Sequence, residues 1–485
     1  MVSSELWFGA EASFYNDVAT QSLRFDNASS SHLKGTLSAS FNTYTFSAWI
    51  KRSTITSSYF QYIFSSGSGG LAIGSTSSHT DKFYVYDGTT AQPTDAVYRD
   101  ASGWYHVVLS SNSGTGVLYV NGVSVKTGIS CASTSTTTNY TMIGYYPVTA
   151  SALYFDGYMA EVNFIDGTAL DPTSFGETKN GVWIAKAYTG SYGTNGFRLQ
   201  FNQTGTGTAS SSTIGADTSG NNNHFTSSGI VASDCNMPDS PENNFCTLNP
   251  LDNFGYDGVV LTEGSLKATS TQNHWDAIRS TFVMPTGSWY VELYSTSGTG
   301  NGNTIIGIIP QNEALPNQHI GTTSTSWAYS NNGNWYNSGN VGGSGATFSA
   351  TDIVAMTFDG STVKWYKNNS LIHTVGSIPS AEYSVALSLY DTDESCVLNF
   401  GQDSSFAGNK TAQGNTDANG IGDFYYAPPS GFLALCTSNL PEPTISPNAD
   451  TQADDHFNTV LYTGDDSTNA ISVPNGATLN NNNLD

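Results

Sequence analysis

Basic residues are scarce in this chain: 15 Lys plus Arg stand against 39 Asp plus Glu over 485 residues, a formal net charge of −24. An excess of that sign repels phosphate backbones and anionic lipid headgroups, which argues against nucleic acid and membrane surfaces as partners. It also keeps a protein soluble, the more cheaply where salt screens the charges. Cysteine is sparse too. Cys131, Cys235, Cys246, Cys396 and Cys436 are odd in number and lack C-x-x-C spacing, so a disulfide framework or a zinc knuckle is not expected. Cys235 and Cys246 lie close enough in sequence to pair, but free thiols are the expectation. No apolar run has the length of a membrane helix. Residues 1–11 show neither the basic n-region nor the apolar h-region of a signal peptide, so synthesis in a cytosol is expected, with exit by lysis or assembly into a particle. Helical periodicity is nearly absent.

What the chain holds in quantity is aromatic rings, 27 Tyr, 24 Phe and 9 Trp, delivered in short bursts between stretches of Gly, Ser, Thr and Asn. Bursts of that length specify strands. Val117 to Val125 and Val363 to Ile372 each spell an apolar strand, a tight Asn-containing turn and a returning strand. Asn121-Gly122 between two valines is a type I′ hairpin signal, because both turn positions need positive φ. Asp87-Gly88, Asp166-Gly167, Asp359-Gly360 and Asn368-Asn369 mark further reversals.

The fold class expected is all-β, two successive antiparallel sandwiches. Residues 1–182 form the first, with strands at 44–50, 59–64, 82–86, 104–109, 117–120 and 157–164. Residues 183–257 change character and read as an ordered connector with a few short strands, Phe197, Leu199 and Phe201 forming one. Residues 258–440 form the second sandwich, with strands at 289–294, 304–309, 353–358, 363–367, 384–389 and 396–400 and a closing segment from Pro428 to Leu433. Residues 441–485 are a polar extension with one more strand expected at 457–462.

Phe46 to Ile50, Trp104-Tyr105-His106-Val107, the Leu118 to Gly122 hairpin and Phe155 to Val162 resemble the concanavalin A-like, laminin-G-type lectin/glucanase sandwich. Trp289 to Glu292, Ile306-Gly307-Ile308, Ser326 to Tyr329, Val363 to Asn369 and Leu398 to Gln402 resemble a SPRY-type sandwich. Asp217 to Phe225, Asp239 to Leu251 and Gly431 to Pro443 are similar to segments of virion proteins of tailed bacteriophages, where such modules occur in tail fibres and other appendages. That resemblance implies a non-enzymatic structural virion protein, a fibre or appendage component that recognises a host-surface glycan or protein. It implies a location in the virion, other virion proteins as partners and a homo-oligomer, a trimer by the usual fibre state. A head decoration or collar protein is the alternative, and a polysaccharide-degrading enzyme a third reading.

The enzyme reading needs two facing carboxylates. Glu161 and Asp166 sit at a strand end and its turn, Glu292 stands alone between apolar neighbours, and no E-x-D-x-x-E strand occurs. No G-x-S-x-G elbow is present, and His106 within an apolar strand reads as structural. No cofactor is required by the sequence. Calcium is the metal the laminin-G resemblance implies, with Asp391, Asp393 and Glu394 in one inter-strand turn and Asp156 at the start of a strand as its candidate ligands, against the plainer reading of a solvated turn. For ligand binding the candidates are Trp335 and Tyr336 flanked by Asn334 and Asn337 in the second sandwich, with Tyr145 and Tyr146 beside Tyr154 in the first. Their rings suit stacking on sugars or burial of apolar groups, and the amides suit hydroxyl partners. Trp327 reads as core.

Overall fold

The computed structural model describes residues 14–36, 42–55, 60–67, 69–74, 79–131, 140–147, 153–254, 258–297, 301–343 and 345–441, with the short ladder Ile471–Ser472 and Thr478–Leu479. Among them helical structure is limited to three-residue 3-10 turns at Pro172–Ser174, Ala232–Asp234 and Thr437–Asn439. The strand expected at 457–462 lies outside the described residues.

The first sandwich packs two antiparallel sheets. One runs Leu23–Phe25, Gly157–Asp166, Tyr44–Arg52, Trp104–Asn112, Thr115–Val120, Val123–Ser130. The other runs Thr226–Ser228, His32–Gly35, Thr141–Ile143, Gln61–Ser66, Gly69–Ile73, Phe83–Tyr86, Ala91–Pro93. Alternation decides what each strand buries. Phe46, Ala48 and Ile50 enter the core, whereas Trp49 turns outward onto His106. At the 120–123 hairpin Val120 pairs with Val123, and Asn121 and Gly122 take φ of 48° and 80°, the left-handed pair a type I′ turn demands.

Residues 183–257 do not stand apart as a connector. Phe197–Leu199 adds to the edge of Gly157–Asp166, and Thr226–Ser228 adds to His32–Gly35. Phe197, Leu199, Phe201, Ile214, Phe225 and Ile230 all enter the first core. The physical reason is that the sandwich had two strand edges to cover, and these apolar residues reach its core by covering them. From Cys246 onward the chain belongs to the second core.

The second sandwich repeats the architecture. One sheet runs Leu248–Phe254, Asp276–Met284, Tyr383–Leu389, Thr304–Pro310, Trp327–Ser330, Asn334–Tyr336, Asn340–Gly343. The other runs Val259–Thr262, Lys267–Ser270, Ser395–Asn399, Trp289–Ser295, Ile353–Phe358, Val363–Lys367, Ser370–Val375. The closing segment returns as Leu433–Ala434, a parallel strand beside Trp289–Tyr290. Asn368 and Asn369, both left-handed, turn Lys367 back onto Ser370. All five cysteines are buried free thiols, so Cys235 and Cys246 do not pair; Cys235 packs in the first core and Cys246 in the second.

Candidate functional site

The rings expected to form one binding patch in the second sandwich are split by the period of the strand. Trp335 and Tyr336 are neighbours in Asn334–Tyr336 and so point to opposite faces. Trp335 is half-buried against the main core and stacks on His373 at 5.1 Å. Tyr336 is buried on the outer face with Ile305, Ile309 and Ile320, its ring 4.5 Å from His319. Asn337 spends its amide on the carbonyls of Ser324 and Ser326 at 2.9 and 3.0 Å. The backbone N–H of Asn334 donates to the Asn332 side chain. These residues build the sheet edge rather than a stacking platform.

In the first sandwich the arrangement differs. Tyr145 stacks on Tyr154 with centroids 4.3 Å apart and planes 9° apart, and His32 closes the group at 4.9 Å from Tyr145. Tyr145 and Tyr154 are both half-buried, so ring surface remains open to solvent. Tyr146 points the other way, buried and stacked on Tyr62 at 4.5 Å within a layer that includes Tyr84 and Leu153. Burial pushes the Tyr146 hydroxyl up to about 12. Of the two expected tyrosines, only Tyr145 keeps part of its surface exposed.

The expected metal ligands do not converge. Glu394 is buried and turned onto the Thr304 hydroxyl, Asp391 accepts from Asn303 at 3.1 Å, and Asp393 is exposed. Asp156 is buried and accepts from Ser53 at 2.9 Å and Thr54 at 2.8 Å. Burial drives its carboxyl up to about 7, aided by the nearby negative charges of Asp26 and Glu263. Among the described residues no group of three His, Cys, Asp or Glu is placed to hold a metal ion.

The carboxylates weighed for hydrolysis are each committed elsewhere. Glu161 pairs with Arg198 at 2.6 Å, and Asp166 binds the backbone and side chain of Asn195. Five positions along one strand put them roughly 16 Å apart, given ~3.3 Å per residue, whereas glycosidases hold their pair within about 5–9.5 Å. Glu292 accepts from the Tyr290 hydroxyl, the Asn399 amide and the backbone N–H groups of Tyr425 and Tyr426, fastening the closing segment to the sheet. Burial outweighs those donors and raises its carboxyl to about 7. His106 bridges the Ser47 hydroxyl and the Trp183 indole, and burial lowers it to about 3, a neutral structural histidine.

The strongest polar constellation is one that the sequence reading missed. Arg24, Tyr158, Lys51 and Trp104 lie in register across four strands, since Arg24 pairs with Tyr158, Tyr158 with Lys51, and Lys51 with Trp104. Their core-facing neighbours are Leu23, Phe25, Ile50 and Met159, so alternation turns this row outward. Residues 234–245, Glu263 to Ser265 and Asp403 cover it. Arg24, fully buried, meets Asp234 at 2.9 Å, Glu263 at 3.3 Å and Asp403 at 3.0 Å. Lys51 donates to Asp239 at 2.8 Å, to Asn244 at 2.7 Å and to the Phe245 carbonyl at 2.7 Å. The Tyr158 hydroxyl donates to the Gly264 carbonyl, and the Ser265 hydroxyl to the Ser53 carbonyl. The available signal was a single cation between apolar residues in a burying strand, Leu23-Arg24-Phe25 and Ile50-Lys51. A buried cation must find carboxylates.

Among proteins of curated function none matches the sequence. The chain is similar to the SPRY domain of human HERC1 (18% identity, 32% of this chain and 97% of that one, TM-score 0.28). It is likewise similar to a human SPRY domain (18%, 29% and 93%, TM-score 0.24) and to the TRIM65 PSpry domain (13%, 32% and 89%, TM-score 0.27). Residues 25–174 match the laminin-G-type family model described as the concanavalin A-like lectin/glucanases superfamily, and the first sandwich carries a domain of that kind.

Proposed function

We propose that this chain is a non-catalytic structural protein of a tailed-bacteriophage virion, an appendage component that contributes to recognition of a host-surface glycan or protein. The virion assignment is supported by the resemblance of residues 217–225, 239–251 and 431–443 to phage virion segments. Recognition over catalysis is supported by one observation above all, the half-buried Tyr145–Tyr154 stack, which presents an aromatic face in a loop between strands. The carboxylates weighed for hydrolysis are meanwhile occupied. In a homotrimeric appendage, several weak sites would act together by avidity.

Electron micrographs of the particle with this protein antibody-labelled test the assignment. Label on the tail or its fibres is the expected result. Label on the head or collar would move the protein to the decoration reading, and no label on any particle would end the virion assignment. Release of reducing sugar from host polysaccharide would overturn the non-catalytic part.

A further inference from the structure

Lys51 differs from Arg24, the other cation of the outward row, in what it meets. Arg24 faces three carboxylates, whereas Lys51 faces one carboxylate and one side-chain amide. The Lys51 side chain is 1% exposed and that of Asp239 is sealed. Three acceptors surround the ammonium: Asp239 Oδ2 at 2.8 Å, Asn244 Oδ1 at 2.7 Å and the Phe245 carbonyl at 2.7 Å. The bond to Oδ1 sets Nζ beside the carboxamide carbon of Asn244. The other arm of that amide, Nδ2, donates to the Ser102 carbonyl at 2.6 Å. Asp239 is itself held, since its Oδ1 accepts from the Phe245 N–H at 3.2 Å and from the Trp104 indole at 3.3 Å. The Tyr158 ring closes the site, its centroid 5.8 Å from Nζ.

Charge is costly in such an enclosure. Burial pushes the Asp239 carboxyl up, against the pull of Lys51. A buried ammonium can hand a proton to a carboxylate and become a nucleophile, whereas a guanidinium stays charged. Nucleophile, base and the donors that orient the base are thus within hydrogen-bond reach of one another, and holding them together makes a condensation unimolecular. We infer that Lys51 and Asn244 condense into an intramolecular isopeptide bond, with Asp239 as the proton carrier. Asp239 takes one proton from the ammonium, and the freed amine attacks Cγ of Asn244. The Nζ–Cγ bond forms and the Cγ–Nδ2 bond breaks, while Asp239 passes its proton to Nδ2 and takes a second from Nζ. Ammonia leaves, Asp239 keeps one proton, and no oxidant or other reactant is consumed. Asn244 is only half-buried, which gives the ammonia a path to solvent. The product replaces a buried ion pair by a neutral amide and a neutral acid. It ties strand Tyr44–Arg52 of the first sandwich to a residue whose backbone bonds Thr437 of the second, closing a loop across 193 positions. The inference is independent of the virion assignment and of the Tyr145 face.

Intact-mass spectrometry of the full chain, followed by tryptic mapping, tests it. The mass is expected to fall short of that calculated from the sequence by one ammonia, and the digest should hold a branched peptide joining residues 35–52 to residues 199–267. Lys51→Arg keeps the cation and removes the nucleophile, and Asn244→Ala removes the electrophile at a half-buried position. Each should show its full calculated mass and linear peptides alone. Asp239→Ala should likewise stay linear, and a branched peptide there would overturn the role given to Asp239. Circular dichroism of Asn244→Ala, expected to match the parent, shows that the bond and not the fold was lost. Asn-Gly pairs such as Asn121-Gly122 can also shed ammonia by closing to a succinimide, which the branched peptide distinguishes. A parent chain at full calculated mass, or a deficit without the branched peptide or one that persists in Asn244→Ala, overturns the inference.

Discussion

Arg24 of the first sandwich donates to Asp403 of the second at 3.0 Å, and both side chains are all but sealed from water. The pair joins positions 379 residues apart, and Asp234 and Glu263 complete the charge around the guanidinium. The two sandwiches are thereby fastened through buried charge as well as through the chain that links them.

Removing the cation leaves Asp234 and Asp403 buried without compensation. Arg24→Met should destabilise the protein by about 3–5 kcal/mol, the range for breaking a buried ion pair from one side. Adding Asp234→Asn and Asp403→Asn should return part of that loss, because the stranded charges disappear. Urea unfolding of the three proteins, followed by tryptophan fluorescence, measures both steps. A single variant as stable as the parent would mean that the junction contributes nothing.

Buried carboxyl groups set a pH dependence of stability. In the folded chain Asp156 is raised from 3.8 to about 7, mainly by burial, so the folded state holds a proton that the unfolded state releases near pH 4. Its contribution is fully favourable below that lower value and is lost as pH rises from about 4 through about 7. Glu292, raised to about 7 by burial, acts in the same direction. Asp156→Asn should flatten the decline, because its two donors are the hydroxyls of Ser53 and Thr54, which can rotate to accept from an amide. Denaturation midpoints across this interval check the slope. An Asp156→Asn curve parallel to that of the parent would rule the mechanism out.

Trp335 and Tyr336 should behave as packing residues. Trp335→Ala removes a half-buried ring stacked on His373 and should cost about 2–3 kcal/mol, less than the ~3–5 kcal/mol of a fully buried ring. Tyr336→Ala opens a gap beside Ile305 and Ile320 and should cost at least as much. Thermal unfolding gives the comparison. A loss of ligand binding with stability intact would restore the platform reading.

Strand positions were legible where the information is local. Ile353–Phe358 and Val363–Lys367 follow from apolar runs bounded by Asp-Gly and Asn-Asn turns, and the structure has them at those limits. Partner choice is not local. Nothing in Thr226–Ser228 announces that it pairs with His32–Gly35, since that pairing is fixed only when the sandwich edge exists to receive it. At Trp335-Tyr336 composition suggests a shared patch, whereas the strand's period of two sends the neighbouring rings to opposite faces. The partners of Arg24 are not legible in the sequence, because its carboxylates come from positions 234, 263 and 403, a convergence that only the joined sandwiches create.

Thiol chemistry offers a separate check on the cores. All five cysteines are buried, and burial raises the thiols of Cys246 to about 11 and of Cys235 and Cys436 to about 12. Thiolate is the reactive form, so native protein should be nearly silent to Ellman's reagent. In denaturant without reductant all five should titrate. Three would reveal a disulfide and reopen the pairing of Cys235 with Cys246.

The Tyr145 face connects the structure to recognition. Tyr145 and Tyr154 lie nearly parallel 4.3 Å apart, so each holds the other in place and little side-chain entropy remains to be lost on binding. Replacing Tyr145 by Ala removes the open ring and unstacks its neighbour, while the buried Tyr146–Tyr62 layer stays packed. Stability should fall by about 1 kcal/mol or less, in line with the ~0.5–1.5 kcal/mol of an aromatic pair. Adsorption of the purified protein to host cells should fall by about tenfold or more if several copies engage together, because a modest loss per site multiplies across linked sites. Flow cytometry with labelled protein, run beside thermal unfolding, separates the two effects. Adsorption that persists in Tyr145→Ala would place recognition elsewhere on the chain, and a large drop in stability would show the stack to be structural.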